Sequence, residues 1–271
     1  MSERIVPGPI HGNANFKEAV LINADKIYDS CKDKDCIENM RVFLCHSGQA
    51  LVDRAINVKC CSAEVIWAYI DLEPVPFNKG FFSVDIQFFF KVDLEVFIGV
   101  GKPQTVEGLC SFEKTVILFG SEGAAKVFTS NFRPCSPDIQ SLPSTNLPKA
   151  SVECVDPIPL GAKIVDACDN HGCLCTDINN IPEYVGGLFE EGLWSGDADK
   201  FVVVTLGLFS IVRIERDVQL LVPAFDFCVP EKECVETSED PCSVFRRIKF
   251  PHSEFCPAAI DRKSTRLNSS H

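Results

Sequence analysis

From Phe81 to Ile98 the chain alternates apolar and polar side chains almost without a break. Phe82, Val84, Ile86, Phe88, Phe90, Val92, Leu94, Val96 and Ile98 are apolar, and Ser83, Asp85, Gln87, Lys91, Asp93 and Glu95 lie between them. Only Phe89 and Phe97 interrupt the pattern. Alternation with period two predicts an extended strand with one buried face, because successive side chains leave a pleated strand on opposite sides. A helix would scatter the same residues around its whole circumference. The run is far longer than the roughly 5–6 residues typical of strands, so a bulge or bend is expected within it.

A second stretch carries the same pattern. Val202, Val204, Leu206, Leu208, Val212 and Ile214 alternate with Val203, Thr205, Gly207, Phe209, Ile211 and Arg213. Val84–Glu95 matches Val204–Glu215 at most apolar positions, and each is preceded, at different distances, by an acidic Pro-X-Pro turn, at Glu73-Pro74-Val75-Pro76 and Asp156-Pro157-Ile158-Pro159. This reads as an internal duplication of a strand–turn–strand unit. Two unrelated amphipathic strands in one β-protein are the alternative.

Further strands are expected at Ala19–Tyr28, Arg41–Leu44, Gln49–Cys60, Val65–Leu72, Val106–Phe119, Lys126–Thr129, Ala150–Val155 and Val218–Phe227, with turns at Asn78-Lys79-Gly80, Gly101-Lys102-Pro103 and Gly120–Gly123. A short helix is expected near Cys36–Met40 or Pro182–Glu191. The pattern predicts an all-β fold, a β-sandwich built as two related β-units with irregular cysteine-rich loops. Residues 1–130 form the first unit, 131–148 a Pro- and Ser-rich linker, and 149–260 the second unit with a cysteine-rich insertion from Cys168 to Lys200. Residues 261–271 back-translate into a sequencing-adapter sequence in frame and are read as a non-native tail.

Composition narrows the partners. A hydrophobic fraction of 46% with 21 Phe among 271 residues supports a packed interior rather than disorder. The net charge of −12 argues against nucleic acid and anionic membranes, which both require clustered positive charge. No apolar run approaches the roughly 18–20 residues of a membrane-spanning helix. The N-terminal stretch Met1–Pro7 has no hydrophobic signal core, so synthesis in the cytoplasm is expected.

Cysteine changes the picture. There are 15, an odd number spread along the chain. Reducing cytoplasm normally removes disulfides as the explanation, and three readings stay open: buried hydrophobes, thiols that cross-link after leaving that compartment, or metal ligands. Cys168, His171, Cys173 and Cys175 lie within eight residues and are the candidate ligands of a tetrahedral zinc, although the spacing is not that of the usual knuckle. Cys31-Lys-Asp-Lys-Asp-Cys36 reads as an exposed charged loop closed by two cysteines. Cys31, Cys36, Cys173 and Cys175 are therefore the cross-linking candidates. Cys60 and Cys61 are adjacent, so on a strand one faces inward and the other outward.

Catalysis finds little support. The chain has no Gly-x-Ser-x-Gly and no His-Glu-x-x-His, and Gly99-Val-Gly-Lys102 lacks the spacing of a phosphate loop. No catalytic residues and no enzyme activity are expected.

Lys26–Cys36, Glu73-Pro-Val-Pro-Phe77 and Val116-Ile-Leu-Phe-Gly-Ser-Glu-Gly123 carry a resemblance. Across most of residues 16–160 the chain resembles a family of uncharacterised cysteine-rich proteins of spore-forming Clostridia and related Bacillota. The resemblance brings no catalytic residues. It implies a context in which coat and exosporium proteins are made in the mother-cell cytoplasm without signal peptides and cross-linked later. The expected function is thus a structural, self-assembling protein of a spore surface layer, partnered by copies of itself and other layer proteins, without a cofactor. The alternative is a β-module that binds zinc or another ligand through Cys168–Cys175.

Overall fold

The computed structural model describes residues 8–9, 18–99, 101–166, 181–194, 196 and 198–224. In chain order the elements are β1 (Gly8–Pro9), β2 (Glu18–Leu44), α1 (His46–Val52), β3 (Asn57–Pro74), β4 (Phe81–Phe97), β5 (Gln104–Phe119), β6 (Lys126–Val127), β7 (Ser130–Asn131), β8 (Ile139–Gln140), β9 (Ser144–Thr145), β10 (Lys149–Cys154), β11 (Ile158–Asp166), α2 (Glu183–Gly186) and β12 (Lys200–Ala224). The fold is all-β, as the alternation predicts. The chain divides into two compact units, Asp25–Val218 and a second whose described residues are 8–9, 18–24 and 219–224. In the second unit, β1 pairs antiparallel with the start of β2, Gly8 opposite Ala19.

Within Asp25–Val218 the hydrogen-bonded strand order is β10-β12-β2-β5-β4-β3, with β11 also on β12. β3, β4 and β5 make an antiparallel meander whose register runs unbroken from Phe81–Phe119 to Val96–Gln104 on the β4–β5 side. On the other side, β10 and β11 pair antiparallel with β12. The two amphipathic stretches singled out in the sequence are therefore both centre strands, each flanked on either side.

Their apolar faces share one core. Val84, Ile86, Phe88, Phe90, Val92, Leu94 and Val96 of β4 are fully buried, or nearly so, with Val202, Val204, Leu206, Leu208, Val212 and Ile214 of β12. Phe82 is half-buried at the rim. A run of large apolar side chains on one strand face has no stable place in water, and stacking it against an equivalent run removes both. Phe89 breaks the alternation for a separate reason. It points to the opposite face, where it is buried with Leu109 against Val185 and Phe189 of the α2 segment.

Three sequence expectations need correction. Gln49–Cys60 is not one strand: α1 occupies its first part, with the Cys45 thiol accepting the Gly48 N–H at the helix start. Cys36–Met40 is strand, not helix, because β2 runs on to Leu44. Cys31–Cys36 is likewise strand rather than a loop. Of the two helix positions considered, the one near Pro182–Glu191 holds α2.

β2 joins the two sides of the sandwich. It is hydrogen-bonded to β12, and its last residues, Phe43 and Leu44, pair with Leu109 and Gly108 of β5. Gly108 is required there. A Cβ on it would lie 2.3 Å from Val42 Cγ1 and 2.8 Å from Leu44 Cδ2. Among the described residues no helix is long and apolar enough to cross a membrane.

Candidate assembly surface

The cysteines fall into distinct environments, and those among the described residues are free thiols. Cys60 and Cys110 are core residues, and burial pushes the Cys60 thiol up to about 11 and that of Cys110 higher still. Cys61 is exposed beside buried Cys60, the split expected of adjacent strand residues. Cys31 packs half-buried against the core, where desolvation raises its thiol, while Cys36 is exposed on the other face of β2. They stand five steps apart along the strand, about 16 Å at the usual rise. That is far beyond disulfide reach, so they cannot close a loop on each other. Cys168, His171, Cys173 and Cys175 lie outside the described residues. Among the described residues no three His, Cys, Asp or Glu side chains are placed to hold a metal ion.

One exposed thiol was not singled out by the sequence. Residues 126–145, partly assigned to the linker, form a narrow two-stranded arm in which β6 pairs with β9 and β7 with β8. Phe128, Phe132 and Leu142 stand 73%, 82% and 91% exposed on it. At its turn, Cys135 follows Pro134 with φ 62°, a left-handed conformation that glycine usually takes. Holding a cysteine there costs about 1 kcal/mol and leaves the thiol at the end of the arm. The signal was legible only as Pro-Cys-Ser-Pro, which reads equally well as a linker.

Arg216 fixes the root of this arm. It occupies an inward position of β12, is buried, and donates to the carbonyls of Gly120 at 2.6 Å, Ser121 at 2.8 Å, Gly123 at 2.9 Å and Asn146 at 3.2 Å. Asn146 in turn accepts the Ala125 N–H through its side chain at 2.8 Å. A charged side chain is tolerated in the interior only when its donors are met, and here the backbone of the β5–β6 turn and the return of the arm meet them.

A second inward-facing cation sits on β5. Lys114 lies on the same strand face as Val106, Cys110 and Leu118, opposite Ile86 in the ladder. Its Nζ reaches Asp35 Oδ2 at 2.6 Å, Ser210 Oγ at 2.8 Å and Asp33 Oδ2 at 3.3 Å, with the Phe88 ring 5.9 Å away. The Lys114 side chain is 9% exposed and that of Asp35 17%. Asp33 is held below its ordinary value, first by the Lys34 backbone N–H and then by Lys114. Along β2 the residues alternate, so Cys31, Asp33 and Asp35 turn toward Lys114 while Lys32, Lys34 and Cys36 turn away. What looked like a solvated charge run is half of an ion cluster.

Near α1 a cleft of about 490 Å³ is lined by Cys45, Ser47, Lys91, Glu107 and Glu191 among others. Ser47 donates to Glu191 at 2.5 Å, and this bond with a second from Cys45 holds the carboxyl below its usual range. Lys91 is paired with Glu107 at 2.7 Å. Of the polar groups lining the cleft, Ser47 and Cys45 are thus engaged by Glu191, and Lys91 by Glu107.

Over 247 residues the chain is 26% identical to exosporium protein A of Clostridium sporogenes. The alignment covers 86% of this chain and 73% of that protein. No protein family description matches the chain, and no solved structure does. The relative's name agrees with the spore-surface context implied by the sequence resemblance.

Proposed function

We propose that this protein is a structural, non-catalytic component of a spore surface layer, made in the cytoplasm and assembled from copies of itself. The carrying observation is the similarity to an exosporium protein along 86% of the chain. The arm supplies a means of association that the sandwich does not need for its own stability. Three large apolar side chains on one short element, together with a thiol at its turn, form a surface that water disfavours. Cys36 and Cys61 offer further exposed thiols for cross-links once the surroundings are oxidising. Cys173 and Cys175 belong to the same proposal through their expected loop.

The test is sedimentation and electron microscopy of the purified full chain, with and without reductant, beside Cys135→Ser, Cys36→Ser and a Phe128→Ser/Phe132→Ser/Leu142→Ser triple variant. Ordered multimers in the parent that are lost in the triple variant, and stripped of covalent links in the Cys→Ser variants, are expected. A chain that stays monomeric at high concentration under oxidising conditions overturns the reading. Antibody labelling of spores from the encoding organism gives the location directly, and signal confined to vegetative cytoplasm would also count against it.

A further inference from the structure

We infer that Lys114 and Asp35 are the two halves of an intramolecular amide bond, formed by the folded protein without any other reactant and tying β5 to β2 across the core. Four features place the reaction there. Nζ of Lys114 and Oδ2 of Asp35 are 2.6 Å apart on different strands. Both side chains are withdrawn from water, at 9% and 17% exposure. Ile86 and Phe88 of β4 supply an apolar wall on the lysine's own face. A second carboxylate, Asp33, and the Ser210 hydroxyl touch the same nitrogen.

Forming the amide removes two opposite charges from a site that water barely reaches, where an ion pair carries a desolvation cost. A proton passing from Nζ to Asp35 along their hydrogen bond leaves an amine and a carboxylic acid. The Nζ lone pair then attacks Cγ of Asp35. Asp33 takes a further proton from the nitrogen and returns it to the departing hydroxyl, and the C–O bond breaks as the C–N bond is completed. An ammonium and a carboxylate thus become one amide and one water, with no oxidant, reductant or activated intermediate required. Fixing the reactants at contact distance replaces the activation that the same condensation needs in solution. Ser210 accepts a hydrogen bond from Nζ and positions it.

The experiment is intact mass spectrometry of the purified full chain, reduced and alkylated so that disulfides cannot contribute. The expected mass falls short of the sequence mass by one water. Proteolysis should yield a branched peptide joining the Lys114 and Asp35 segments, with trypsin failing to cut after Lys114. Lys114→Arg and Asp35→Ala should each restore the full mass. Asp33→Asn should retain it or lose water far more slowly, with Asp33→Glu recovering the loss. A cyclic imide at an aspartate also sheds water but would persist in Lys114→Arg, so a deficit surviving that substitution overturns the proposal. Full mass in the folded parent overturns it as well, and the branched peptide is sought in the parent itself, independent of how any variant folds.

Discussion

Asp156 accepts the backbone N–H of Val65 at 3.1 Å, on the edge of β3 that β4 leaves open. β10 and β11 run close to this edge without a ladder to it among the described residues. The opposite gap is treated in the same way, where Asp29 accepts the Phe119 N–H of β5 at 3.0 Å. Unpaired strand edges invite pairing with other chains. In this sandwich, aspartate side chains stand where a neighbouring strand would dock, which disfavours pairing at these edges.

Asp156→Ala should uncover the β3 edge. Amide hydrogen exchange at Val65 is expected to accelerate, and the variant should associate through strand pairing in a way that reductant does not reverse. Asp156→Asn keeps an acceptor and should lie between the two. Unchanged exchange at Val65 would mean that the edge is covered by something other than this side chain.

Two glycines give a contrast within one fold. Gly108→Ala drives a methyl into Val42 and Leu44 at the β2–β5 junction, and overpacking of this kind costs about 1–3 kcal/mol. Gly161→Ala meets nothing within 4 Å and should be neutral, or stabilising by about 0.5 kcal/mol through the unfolded chain. Thermal or denaturant unfolding of both variants checks the difference. Equal effects would show that the junction is not tight.

Arg216→Met should loosen the arm before it unfolds the sandwich. It leaves the carbonyls of Gly120, Ser121, Gly123 and Asn146 without this donor, and an unmet buried acceptor costs about 1–3 kcal/mol. Limited proteolysis within residues 126–145 is expected to speed up by more than cutting elsewhere. Uniform acceleration would indicate a global rather than a local role.

Thiol chemistry should sort by burial. Cys36, Cys61 and Cys135 are expected to label in the native state, and Cys60 and Cys110 only after unfolding, read by mass spectrometry. The sign with pH follows from Cys60, whose folded value of about 11 lies above the unfolded value of about 8.5. Its contribution to stability is complete below the unfolded value and is lost as pH rises toward the folded one. Cys60→Ala should therefore lose less stability than the parent between pH 8 and 11, whatever its stability at neutral pH.

The strands were legible because burial on one face writes a period-two pattern into Phe82–Val96 and Val202–Ile214 that few other structures need. Phe89 shows where the pattern stops informing. Its partner face is covered by Val185 and Phe189, and nothing local in Phe88-Phe89-Phe90 says that a segment about a hundred residues away returns to cover it. The same limit hid the ion cluster. Asp33 and Asp35 look solvated until Lys114 is known to lie across from them, and a lysine among the inward residues of β5 looks like an irregularity until the carboxylates arrive. α1 was concealed because Gln49–Val52 runs into a strand with only Asp53–Ile56 to separate them. Cys135 was hidden by its prolines, which suit a linker as readily as a turn.

β2 belongs to both sides of the sandwich, and this has a mechanical meaning. In a sandwich whose halves meet only through side chains, a pull on one half is resisted by contacts that slide. Here tension applied to β12 crosses the hydrogen bonds that join it to β2, runs along the β2 backbone to Phe43 and Leu44, and passes through their ladder into β5. The pull is then carried by main chain and strand-pairing hydrogen bonds, with the core filling behind them rather than bearing the strain.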